Sequence, residues 1–566
     1  MAWYDEAVFY HIYPLGLLGA PKENRYDGVT HRLPELDPWI DHIKAIGCNA
    51  IYIGPLFESE GHGYETTDYR KLDSRLGDNN DLKKFVKNCH KAGVNVIFDG
   101  VFNHTGRTFF AFQDLKENRE GSRYRDWYCN VNFWGNNEYN DGFSYDNWGG
   151  YNLLVKLNQR NPEVRDYICD VIRFWVSEFD IDGIRLDAAD VLDFDFMKAL
   201  RGVANEVKPD FWLMGEVIHG DYSRWVNEGT LHSVTNYNLH KALYSGHNDH
   251  NYFEIAHTVK RLYEMGGNRP DGLKLYNFTD NHDVERIYTK LANKAHMTPV
   301  NILLYTLPGI PSIYYGSEFG IEGRKEKYSD DSLRPALNLN DYKNAIEDNP
   351  ITAVIARLGA IRHSIPALSY GEYRELVLTN RQYAFSRKSG DSYCLTAVNN
   401  DDNPCQLTLP AEGEGTYTGL LSQKTVPVQS GQITVDIDAN SGDIWVNSDC
   451  AASVGSPKAA KAAKTPKTHA KVKPADNNTA EVPKEEPKAE TPADTIKEAP
   501  TETKAEAPVD ISENESRGSY EDGIIRGLQE AIIARMEKNG PVTDQMRRDV
   551  DANTHHDSLI NWIKSF

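Results

Sequence analysis

Gly183-Ile184-Arg185-Leu186-Asp187 is a short strand-like run that ends on a carboxylate, and it follows the amphipathic stretch Pro162–Phe179. A helix-length pattern feeding a short strand is the repeating unit of a parallel α/β fold. Three similar runs precede it, Val8–Tyr13, Ala50–Ile53 and Val94–Phe98, with a helical pattern over Asp81–Ala92 before the third. Four follow it: Phe211–Met214, Ser233–Asn236, Lys274–Phe278 and Ile310–Tyr314. Eight such units close naturally into a (β/α)8 TIM barrel. A doubly wound sheet is the alternative, but it would not usually need eight strands. The expected fold class is therefore α/β, with residues 1–363 forming the barrel.

One connection is far longer than the rest. From His104 to about Trp148 the chain is rich in Phe, Tyr, Trp, Asn and Gly, with no clear period. Long connections inside compact domains are usually functional. This one, read as an inserted domain over about 104–150, would overhang the C-terminal mouth of the barrel. Residues 364–447 change to short alternating segments with turn signals, the texture of an antiparallel β-sandwich. Residues 448–518 are dominated by Ala, Lys, Pro, Glu and Thr, which cannot bury enough apolar surface to fold, and read as a disordered linker. In 519–566 a period returns, with Ile525, Leu528, Ile532 and Met536 on one helical face. That stretch reads as a helical appendage suited to binding a protein partner or to self-association.

At 566 residues the chain needs more than one domain. Its formal charge of −21 disfavours non-specific nucleic-acid binding. Seven widely spaced cysteines with no CxxC argue against a disulfide scaffold or a zinc cage. The N-terminus has no basic and apolar signal pattern, and no run of about 20 apolar residues occurs, so a cytoplasmic protein away from membranes is expected.

In a barrel of this kind, catalytic groups sit where strands end, because those ends converge on one mouth. The third strand runs out through Phe98-Asp99-Gly100-Val101-Phe102-Asn103-His104 and the fourth through Arg185-Leu186-Asp187. The fifth ends Met214-Gly215-Glu216 and the seventh Phe278-Thr279-Asp280-Asn281-His282-Asp283. One carboxylate at a strand end is commonplace. Four on one rim, with an arginine and two histidines, are hard to explain structurally. Glycoside hydrolysis uses such a set: one carboxyl kept protonated for the leaving oxygen, another to attack the anomeric carbon or to activate water. Like charges at close range push one pKa up and supply the neutral acid. Arg185, two residues from Asp187 on the same strand face, is expected to hold Asp187 ionised.

These segments resemble the conserved regions of the α-amylase family, glycoside hydrolase family 13, over roughly residues 1–447. The resemblance implies a retaining enzyme with Asp187 as nucleophile, Glu216 as general acid/base and Asp283 as the third carboxylate. It implies that His104 and His282 bind sugar hydroxyls, and that Asp99 stands behind the site. Gly61-His62-Gly63-Tyr64-Glu65 looks like the family's second-strand loop, which makes Tyr64 a stacking partner for the sugar. Leu154-Val155-Lys156-Leu157-Asn158 and Glu216-Val217-Ile218-His219 are similar to the neopullulanase and cyclomaltodextrinase group. That group carries an N-terminal β-domain, whereas this chain opens at the first barrel strand. The implied substrate is a maltodextrin, cyclodextrin or similar α-glucan oligosaccharide. Transglycosylation, α-glucosidase or oligo-1,6-glucosidase activity, and a non-catalytic sugar-binding role are the alternatives. No cofactor is required by the resemblance. Calcium is the candidate ion, with Asn103 as its candidate ligand, although Gly19-Ala20-Pro21-Lys22-Glu23-Asn24 lacks the alternating Asp and Asn ligands of related enzymes.

Overall fold

Eight parallel strands form the central sheet: β1 (Phe9–Ile12), β2 (Ala50–Ile53), β3 (Asn95–Gly100), β4 (Gly183–Leu186), β5 (Trp212–Gly215), β6 (Ser233–Val234), β7 (Tyr276–Phe278) and β8 (Ile310–Tyr314). Each strand expected from the sequence is present, in the order β6-β5-β4-β3-β2-β1-β8-β7. The two ends of that sheet meet through one parallel bridge between Thr235 and Tyr276, with Asn236 N–H donating to the Tyr276 carbonyl at 2.9 Å. The sheet is thus a nearly closed barrel. The computed structural model describes residues 2–266, 272–327, 329–451 and 454. All of these fall in a compact unit spanning Met1–Thr465. The expected linker and helical appendage lie outside the described residues, apart from Val454 and a helical turn at Ser448–Ala451.

The barrel interior is filled by Phe9, Tyr52, Ile97, Trp212, Met214, Tyr276 and Phe278, all buried. Outside it, amphipathic helices cover the strands. In the helix Asn79–Lys91, Asp78 accepts from the amides of Asn80 and Asp81, and Asp81 returns the bond to Asp78 N–H. This capping box fixes where that helix starts. The helix Pro162–Phe179 begins at the Asn161 cap and ends at Asp180 in a left-handed conformation, φ 59°. Its Ile168, Ile172, Trp175 and Phe179 lie on one buried stripe.

The stretch between β3 and β4, read from sequence as aperiodic, contains regular structure. A helix covers Phe110–Asn118, and a small sheet joins His104–Thr105, Tyr151–Lys156 and Asn147–Trp148. Its central strand runs past residue 150. The described C-terminal part is antiparallel: a six-stranded sheet between Glu372 and Asn447 faces the pair Cys405–Pro410 and Gln432–Ile437. Leu395, Trp445, Leu409 and Val435 fill the space between them. Arg387 of this sandwich donates to the Thr306 carbonyl at 2.8 Å, where the barrel helix Met297–Thr306 ends.

Candidate active site

Strand register sets the centre of the site. Asp99 on β3 and Met214 on β5 both stand opposite Arg185 on β4, so the Arg185 side chain enters the mouth between the strands. One nitrogen of its guanidinium, Nη1, donates to Asp99 Oδ1 at 2.8 Å and to Asp187 Oδ1 at 2.9 Å. The other, Nη2, lies 2.8 Å from Glu216 Oε2. A single planar cation therefore carries three carboxylates, and two of them, Asp187 and Glu216, face the cleft.

Each carboxylate has its own surroundings. Asp99 is buried behind the others, its second oxygen accepting from Tyr52 at 2.7 Å and Tyr64 at 3.0 Å. Glu216 accepts from the Tyr237 hydroxyl at 3.1 Å and from the Ala188 amide at 3.2 Å. Asp283 stands across the mouth, held by Arg334 Nη2 at 2.9 Å and by His282 Nε2 at 3.0 Å. Burial works to raise its pKa. The hydrogen bond and charge of His282, with Arg334 and Arg185, outweigh burial and hold the Asp283 carboxyl well below its ordinary value.

Asp187 behaves differently from the sequence expectation. Burial pushes its carboxyl up, Arg185 opposes, and the negative charges of Glu216, Asp99 and Asp283 reinforce the rise. Arg185 is shared among three acids, so it does not hold Asp187 ionised by itself. Crowding of acids around one cation thus disfavours the ionised form of Asp187.

The remaining expected residues surround this core. Tyr64 stacks on His282, with ring centroids 5.5 Å apart and planes 9° apart, and its hydroxyl reaches His282 Nε2 at 2.5 Å. His104 lines the same cleft, with Nε2 3.1 Å from the Tyr64 carbonyl oxygen. Burial pushes its pKa down to about 3, so His104 is neutral. The cleft encloses about 740 Å³ and is flanked by Trp148 and Tyr151 of the inserted segment. Two groups went unread in the sequence. Tyr237 follows Asn236 directly and was within reach of the strand-end reading. Arg334 comes from a loop after β8 whose sequence carries no periodic or motif signal.

Asn103, the candidate calcium ligand, is buried beside His104. Its side-chain oxygen accepts from Gln159 at 3.3 Å and its amide nitrogen meets His104 Nδ1 at 3.2 Å. Among the described residues, the one cluster of three groups spaced for a metal is His31, Asp78 and Asp81. Both of its carboxylates already serve the capping box described above.

Comparisons with known proteins bear on the family of the chain. The α-amylase catalytic-domain family model matches residues 26–353. A cyclomaltodextrinase from a Bacillus species is 31% identical over 425 residues, covering 71% of this chain and 74% of that one. An intracellular maltogenic amylase of Bacillus subtilis is 31% identical over 291 residues, 51% of this chain and 48% of that one. A solved cyclomaltodextrinase structure superposes with a TM-score of 0.70 at 26% identity, covering 78% of each chain. With the barrel, the carboxylate-lined mouth and this match in hand, the chain belongs to the α-amylase family and is a glycosidase of that family.

Proposed function

We propose that this enzyme hydrolyses α-1,4-glucosidic bonds in short glucans, maltodextrins and cyclodextrins, with retention of anomeric configuration. The observation that carries the reading is the Arg185 bridge, which puts Asp187 and Glu216 side by side at the cleft floor with Asp283 facing them. Retaining glycosidases use a close carboxyl pair in this way, about 5–5.5 Å apart. In the first step Asp187 attacks the anomeric carbon while protonated Glu216 gives its proton to the glycosidic oxygen, and the C–O bond breaks. In the second step Glu216 takes a proton from water as the water oxygen attacks the same carbon and releases Asp187.

The neighbours fit these roles. Tyr237 aims the Glu216 carboxyl, and Arg334 with His282 keeps Asp283 ionised beside the developing positive charge. Tyr64 offers a flat face to the sugar and His104 a neutral ring.

Incubation with maltotriose, maltoheptaose, β-cyclodextrin, pullulan and starch, with products followed by NMR, tests the proposal. The expected result is an α-anomer released from maltoheptaose and β-cyclodextrin. Inactivity on every α-glucan would sink the reading, and products longer than the substrate would assign the covalent intermediate to a sugar acceptor instead of water. A cytoplasmic location is part of the proposal, supported by likeness to the relative named intracellular. Among the described residues, no helix is long and apolar enough to cross a membrane. The C-terminal tail is proposed to bind a partner or a second copy. Truncation at Asn447 that leaves both solution mass and location unchanged removes that role.

A further inference from the structure

The loop after β1 and the loop that carries Tyr64 are fastened together by one buried cation. Arg75 is 5% exposed, and its guanidinium meets six oxygens. Nε and Nη2 hold the two carboxylate oxygens of Asp73 at 2.9 and 2.7 Å. Nη2 also reaches Ser59 Oγ at 2.9 Å. Nη1 donates to the carbonyls of Pro21 at 2.9 Å, Lys22 at 3.1 Å and Gly61 at 2.6 Å. A carboxylate, three backbone carbonyls and a hydroxyl gathered around one guanidinium are the ligand types of a hard divalent cation, which takes six to eight oxygens.

Enzymes of this family often bind calcium. In this chain the loop Gly19–Asn24 supplies two backbone carbonyls to the cage and no carboxylate, and a fixed positive charge already fills the cage. A second cation there would meet the guanidinium at contact distance, with Asp73 the one carboxylate in contact and Glu65 further off to offset both. The residues therefore do not fit a calcium ion at this place.

We infer that Arg75 is a built-in substitute for a structural metal ion: a positioning residue whose guanidinium holds the Tyr64 loop at the mouth and takes the place of a divalent cation in this cage. The link to the site is short. His62, Gly63 and Tyr64 follow Gly61 directly, the His62 carbonyl accepts from Tyr13 at 2.5 Å, and Tyr64 bonds Asp99 and stacks on His282. Arg75 touches neither the cleft acids nor the space a sugar would take, so its effect on reaction passes through Tyr64.

The inference rests on the proposed sugar site only for its kinetic arm; its metal arm is read from melting temperature. Full-length wild-type protein, Arg75→Ala and Arg75→Lys are melted in EDTA, in calcium and in magnesium, and assayed on maltoheptaose. Wild type is expected to lose less stability in EDTA than Arg75→Ala does. Arg75→Ala is expected to melt lower in EDTA and to regain stability in calcium but not in magnesium, which demands a tighter octahedron than these oxygens form. Its KM is expected to rise roughly tenfold with a smaller fall in kcat, because the stacking face is misplaced and the acids are not. Calcium is expected to restore that KM, and Arg75→Lys to lie between the two. A wild type that EDTA destabilises as much as it does Arg75→Ala, or as much as Arg75→Lys where Arg75→Ala does not fold, overturns the inference. So does an Arg75→Ala variant with wild-type stability and kinetics, or one that calcium fails to stabilise. A wild type inactive on all glucans would defeat the proposed function while leaving the melting results interpretable.

Discussion

Asp187 is held in a place that suits chemistry and not stability. Its pKa is raised in the folded chain by burial and by neighbouring acids, so the ionised form is penalised there. A raised carboxyl contributes stability only at low pH, and that contribution is gone once pH climbs through the folded value. Asp187→Asn is therefore expected to lose activity by at least about a thousandfold while its melting temperature at pH 7 stays the same or rises. Parallel assays and thermal melts check this, and a variant that kept its activity would overturn the role of Asp187. Buried histidines act in the opposite pH range. Burial pushes His104 and His247 down to about 3, and His232 and His240 to about 4. Below about pH 6.5 the unfolded chain binds protons that the folded chain refuses, so stability falls as pH falls toward 4. Each such histidine adds a slope of about 1.4 kcal/mol per pH unit within that window. His247, whose Nδ1 meets the Leu243 carbonyl at 2.6 Å away from the cleft, offers a clean test. Denaturant titrations of His247→Gln between pH 4 and 7 are expected to give a shallower dependence than wild type. At this scale the strand ends told most of the story, since Asp99, Asp187, Glu216 and Asp283 all reach one mouth. The sharing of Arg185 among three acids depends on cross-strand register, which no single segment reveals.

Among the elements, strands and long helices were legible because their periods run for several residues. The helix Pro162–Phe179 shows its stripe over four turns, and β4 follows it after a short turn. The inserted segment was opaque for the opposite reason. Its pairings His104–Thr105 and Asn147–Trp148 are two residues long, too short for alternation to appear. Its helix Phe110–Asn118 spans little more than two turns between irregular loops. This element also brings Tyr151 to the cleft wall, 68% exposed and packed by little. An exposed aromatic at the wall of a cleft has a free face to offer a ligand and adds little to the core. Tyr151→Ala is expected to raise KM for maltoheptaose several-fold, roughly 1 kcal/mol of lost stacking, with an unchanged melting temperature. A fall in stability with KM intact would make Tyr151 part of the scaffold.

Across the whole molecule, the barrel and the sandwich share a wall. The helix Met297–Thr306 has Pro299 through Thr306 buried on every side, the pattern of an element covered by protein all round. A Cβ on Gly442 of the sandwich would lie 3.1 Å from Ile302 of that helix. A chain ending at Ser364 would expose this apolar surface, and leave the Thr306 carbonyl without Arg387. It is expected to be insoluble or to bind a hydrophobic dye strongly, whereas a soluble, cooperatively melting truncation would show the barrel to be self-sufficient. Domain texture in the sequence marked the sandwich correctly, but its dependence on the barrel lies in contacts between distant segments and could not be read locally.

The barrel seam carries a kinetic consequence. Thr235 and Tyr276 form one bridge where other neighbouring strands share a ladder, and Tyr237, the partner of Glu216, begins two residues further on. Amide protons beside this seam are placed to exchange before those of β3 and β4. A transient gap there would release the Tyr237 hydroxyl from Glu216, the proposed acid, while leaving Arg185, Asp99 and Asp187 locked together. Warming would then impair the departure of leaving groups that need a proton sooner than the attack itself. An activated glycosyl donor, which supplies its own good leaving group, should go on labelling Asp187 at temperatures where natural glucans are no longer cut.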